Sequence, residues 1–122
     1  MPEPNESGQM MAGRLYATLR VLKFLAKPDS PKPTAQDEFG GKDRPRDRIQ
    51  ALKLDPFEDL VTAVQQGRNA KALGEVFCAL PALVPPKKAL NDNLGEPELA
   101  EFNAGYRAQL TTLKEALPKL LE

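Results

Sequence analysis

Apolar residues recur along this chain at helical spacing. Between Met10 and Lys27, Met11, Leu15, Leu19, Leu22, Leu25 and Ala26 fall within an arc of about 120° on a helical wheel, with Arg20, Lys23 and Lys27 opposite. The pattern predicts an amphipathic helix that Pro28 stops. Residues 44–67 read as two short helices. The first has Asp43 as its N-cap and Ile49 and Leu52 as inward positions. The second starts at Asp55-Pro56-Phe57-Glu58, where Asp55 caps, Pro56 takes the first helical position and Glu58 completes a capping box. Its buried stripe is expected to be Phe57, Leu60, Val61 and Val64, and Gly67 ends it. A further helix is predicted from about Asn69 to Leu80, with Leu73, Val76, Phe77 and Leu80 on one face; Pro81 and Pro85-Pro86 limit it.

The strongest periodicity comes last. Leu99, Phe102, Tyr106, Leu110, Leu113, Leu117 and Leu120 occupy an arc of about 80°, nearly three heptads of a coiled-coil-like helix beginning near Pro97. Pro118 ends or kinks it. No strand-like alternation of useful length appears. The expected fold is therefore all-α: a small helical domain of four to five helices, with a long C-terminal amphipathic helix and a proline-rich loop. Residues 1–9 read as a disordered leader, 10–27 as the N-terminal amphipathic helix and 28–43 as a linker or mobile loop. Residues 44–122 read as the helical core, with 85–96 as a connection inside it.

Composition narrows the chemistry. The 122 residues carry twelve prolines, no histidine and one cysteine. Mechanisms that need an imidazole are excluded, as are an internal disulfide and a thiolate zinc cage. Cys78, in an apolar run, is expected to be a buried, inert thiol. The net charge is zero, but residues 1–54 carry +3 and residues 91–122 carry −3. That asymmetry suits an anionic partner at the front and a protein at the back. Met1–Met10 lacks the features of a secretory signal, and no stretch reaches the roughly 20 apolar residues of a membrane span. The expected location is cytoplasmic, the host cell cytoplasm for a viral protein, with no membrane partner.

No motif points to catalysis, a metal or a cofactor. Gly41-Lys42 lacks the preceding glycine and the following Ser or Thr of a phosphate loop. Asp37-Glu38 lies in the linker, and Glu58-Asp59 sits in a first helical turn, where acids favour the helix dipole. The basic stretch Lys42–Arg48 reads as a solvated helix start with internal ion pairs, or as an arm that contacts phosphates through Arg44, Arg46 and Arg48. The first helix has four basic and no acidic residues from Met10 to Lys27. Three readings compete for it: a core helix with a solvated basic face, a contact to nucleic-acid backbone, or a helix on an anionic membrane. Lys87 and Lys88 either neutralise helix-end carbonyls or bind phosphate. The C-terminal leucines pack within the domain or against another copy.

Two segments together resemble a known family. Leu54-Asp55-Pro56-Phe57-Glu58 follows an arginine-rich lead, and Ala82-Leu83-Val84-Pro85-Pro86-Lys87-Lys88-Ala89-Leu90 comes about thirty residues later. Over residues 42–90 this order resembles phage DNA-packaging proteins of the terminase small-subunit type. The resemblance implies a non-catalytic helical protein that forms a ring, binds viral DNA and recruits a large motor subunit. Arg44, Arg46 and Arg48, with Lys87 and Lys88, would then contact DNA, and Leu110, Leu113 and Leu117 would pack between subunits. The rival reading is a small helical protein-binding adaptor or inhibitor with no nucleic-acid role, whose leucine stripe docks in a partner's groove.

Overall fold

The computed structural model describes residues 7–37, 45–52, 55–67, 69–85 and 96–121. The described residues are helical and contain no strand: α1 (Gly8–Ala26), α2 (Pro45–Leu52), α3 (Pro56–Gln66), α4 (Ala70–Ala79), α5 (Glu96–Ala116) and a one-turn α6 (Pro118–Leu121). The 3-10 turns Ala35–Asp37 and Leu80–Leu83 complete them. The expected all-α class with a long C-terminal helix is what forms.

α1 begins two residues before the predicted start because Ser7 caps it: the Ser7 hydroxyl accepts from the Met10 N–H at 3.2 Å. It is the central helix, packed against α2, α3, α4 and α5. Ala12, Tyr16, Ala17, Leu19, Val21, Leu22, Leu25 and Ala26 are all buried, more than one amphipathic stripe would need. Only α5 faces it along most of its length. The α5 stripe of Leu99, Phe102, Tyr106, Leu110 and Leu113 is buried in this contact, and Leu117 and Leu120 pack at its margin. Pro118 acts as expected, breaking the helix after Ala116, and α6 turns Leu121 back into the core.

Two glycines set how closely α1 and α5 approach. A Cβ on Gly13 would overlap the Phe102 carbonyl oxygen, and one on Gly105 would overlap the Met10 carbonyl oxygen. The two backbones therefore meet directly at the crossing, with no room for a side chain at either glycine. Tyr16 fills the space beside this crossing, with its ring 5.9 Å from Phe102 and 5.7 Å from Tyr106, both tilted.

The described part of the expected linker is tethered. Pro33 is buried. Tyr106 Oη donates to the Thr34 carbonyl at 2.7 Å, and Arg20 donates to Asp37 at 2.8 Å. The Tyr106 hydrogen bond and the Arg20–Asp37 pair thus hold residues 33–37 to α5 and α1. Residues 38–44, with the expected cap Asp43, lie outside the described residues, as do residues 1–6 of the expected leader.

Gly13→Ala and Gly105→Ala should each destabilise the chain by about 1–3 kcal/mol, because backbone rather than a flexible side chain must move. Gly74→Ala, mid-α4 with open space around it, should instead stabilise by about 0.5–1 kcal/mol. Urea unfolding of the three variants checks this; a Gly13→Ala chain at least as stable as the parent would contradict the backbone contact.

Candidate functional site

α3 carries its apolar residues on the wrong side for a core helix. Phe57 is 67% exposed, Val61 37% and Val64 60%. The face turned inward holds Pro56, Asp59 and Ala63. On a wheel the two arcs are about 140° apart. The expected buried stripe is thus corrected: Leu60 alone is partly buried. Asp55 makes no capping hydrogen bond; its carboxylate pairs with Lys23 of α1 at 2.9 Å. That contact ties the start of α3 to α1, and the small Ala63 then lies fully buried within the core. Pro56 takes the predicted first position, and Gly67 closes the helix at φ 63°. Among the described residues, Val84 is the one other large apolar side chain that is similarly exposed.

Asp59 is 2% exposed. Burial pushes its carboxyl above the usual carboxylate range, the Asp55 charge adds to this, and Lys27 and Lys23 oppose it. Asp37 goes the other way. Burial raises it, but the Thr34 N–H, donating at 2.9 Å, and the Arg20 guanidinium outweigh that and hold it low. Burial pushes the Tyr106 hydroxyl up to about 12, with Arg20 opposing. Asp37 and Tyr106 tether the segment after α1, whereas buried Asp59 costs stability when ionised. Glu58 is exposed while Asp59 is buried, so the two carboxylates do not converge. Among the described residues no three His, Cys, Asp or Glu side chains gather as a metal site. A shallow cleft where α5 meets α6 is lined by Thr111, Lys114, Glu115, Pro118 and Leu121.

All three cations of α1 are engaged within the chain. Arg14 donates to Gln109 at 3.0 Å, Arg20 to Asp37, and Lys23 to Asp55. α1 is thus a core helix whose cations pair with neighbouring elements. No helix of the described residues is long and apolar enough to cross a membrane.

The predicted site residues fall in different places. Arg46 and Arg48 are exposed on α2, whose Ile49 anchors it in the core. Arg44, Lys87 and Lys88 lie outside the described residues. Leu110 and Leu113 are buried in the chain's own core and Leu117 lies at its edge, so the stripe assigned to contacts between subunits is occupied by α1. Cys78 is exposed, a correction of the buried thiol: the inward positions of α4 are Leu73 and Val76, and Cys78 falls off that face.

No family model, curated protein or solved structure matches this chain. The spacing of Phe57, Val61 and Val64 gives no sign of the inversion, because it is ordinary core spacing. The signal lies elsewhere, in an acid at position 59 and an alanine at 63 on the opposite side.

The two carboxyls predict opposite pH effects. Folded Asp59 holds a proton at a pH where the unfolded chain has lost it, so stability falls as pH rises from the unfolded towards the folded pKa. Asp59→Asn should raise the melting temperature at pH 7, with the gain vanishing below about pH 4. The Asp37 contribution is present above the ordinary carboxylate pKa and is lost as pH falls through its lowered one. Asp37→Asn should therefore lower the melting temperature at pH 7 and cease to matter in stronger acid. Melting curves across this range check both; Asp59→Asn less stable than the parent at pH 7 would contradict the buried-charge assignment.

Proposed function

We propose that this chain is a non-catalytic, helical protein-binding module that docks its partner through the outer face of α3. The observation that carries the reading is the stripe Phe57, Val61 and Val64, exposed on a helix whose other side is already anchored. Burying a Phe or Val side chain is worth about 1.5–3 kcal/mol, so leaving three of them in solvent forgoes a large share of a small domain's stability. An apolar strip of this kind, flanked by the exposed Glu58 and Gln65, has the anatomy of a helix-face docking site.

A second reading keeps the chain as a DNA-packaging subunit, similar to a terminase small subunit, that oligomerises, binds viral DNA and recruits a larger motor protein. The outward placement of Arg46 and Arg48 on α2 favours it. There the α3 face would meet protein and α2, with Arg44, Lys87 and Lys88, would meet phosphates.

Phe57→Ser with Val64→Ser should leave helicity and melting temperature close to the parent, because both side chains are mostly in solvent. A photoreactive residue at Gln65 should cross-link partners in cells with the parent chain and at least tenfold less with the double variant. Undiminished cross-linking would overturn the docking face. Duplex DNA titrations discriminate the second reading: affinity that falls steeply with salt and is lost in Arg46→Ala with Arg48→Ala supports it, and salt-independent or absent binding rejects it.

A further inference from the structure

We propose that the face of α3 is closed by α3 of a second copy, the two helices running antiparallel about a two-fold axis at Val61. This rests on the reading of α3 as the docking face and names its occupant. The register of the stripe is self-complementary. Phe57 lies four residues before Val61 and Val64 three residues after it. Reversing one helix therefore sets Phe57 of each copy over Val64 of the other, within about one residue rise of 1.5 Å, and Val61 over Val61. The largest side chain meets one of the smaller ones, as interdigitated packing needs.

Charge fits the same direction. The acids of α3 are at its start, where Glu58 is exposed, and α3 has no cation of its own. The exposed Lys71 follows its C-terminal end, in the first turn of α4. Antiparallel pairing brings each copy's Glu58 towards the other's Lys71 end and opposes the two helix dipoles; a parallel pair would set like against like. The stripe is also flanked on one side by Leu60, which is only partly buried and extends the apolar contact. A pair of 11-residue helices buries less than the roughly 1,000 Å² of a lasting interface, so the dimer is one that dissociates on dilution.

The test uses the full chain with Cys78→Ser, since the exposed native thiol would cross-link on its own. Sedimentation should show the mass rising from one copy to two with concentration, and Val61→Glu should weaken this at least tenfold with helicity unchanged. On mild oxidation, Val61→Cys should form a disulfide-linked dimer. Phe57→Cys alone should not, whereas a mixture of Phe57→Cys and Val64→Cys chains should link to each other. A chain that stays a monomer, with Val61→Cys linking no faster than a cysteine placed at the exposed Glu75, overturns the proposal. Self-linking at Phe57 overturns the antiparallel arrangement and with it the two-fold register. The docking reading falls separately, only when the Phe57→Ser, Val64→Ser chain keeps its cellular partners.

Discussion

The structure depends on the backbone contact between α1 and α5. Gly13 and Gly105 remove the side chains that would hold the two helices apart. The close approach lets Tyr16, Phe102 and Tyr106 stack beside the crossing. It also sets Tyr106 and Arg20 where they can hold the segment after α1, through the Thr34 carbonyl and Asp37. α5 thereby spends its whole leucine stripe on α1. The shorter helices take what remains of the α1 surface, each through a few small or apolar residues: Ile49 from α2, Ala63 from α3, Leu73 and Val76 from α4.

Much of this architecture was legible in the sequence, because it rests on periodicity and on residues that punctuate helices. The C-terminal sequence pattern is an unbroken run of seven positions, five of them on α5, and each proline or glycine expected to bound a helix does so where the structure describes it. What could not be read was which surface each apolar face would meet. The leucine stripe looks the same whether it packs on α1 or on another copy. The glycines that decide the matter lie inside the helices, where composition alone marks them only as weak helix formers.

α3 is the clearest case. Its amphipathic pattern predicts burial of Phe57, Val61 and Val64, and burial is what an isolated helix with that pattern prefers. The tertiary structure overrides it: Ala63 and Asp59 are buried instead, and the Lys23–Asp55 pair ties the start of the helix to α1. A fold that accepts a buried carboxyl and an exposed phenylalanine on one helix gives up stability there, and places where local pattern and global fold disagree are where function concentrates. The functional reading follows from that disagreement rather than from any reactive cluster. The basic residues of α1, Arg14, Arg20 and Lys23, have Gln109, Asp37 and Asp55 as partners within the chain.

The central claim is that α1 and α5 meet backbone to backbone while the apolar face of α3 stays outside the core. A nuclear Overhauser experiment on the isotope-labelled chain at low concentration tests it most directly. The account predicts cross-peaks from Gly13 Hα to Phe102 and from Gly105 Hα to Met10, with none from the Phe57 ring to the methyl groups of Leu22 or Leu25. Strong Phe57 contacts to those leucines, with the glycine cross-peaks missing, would contradict it.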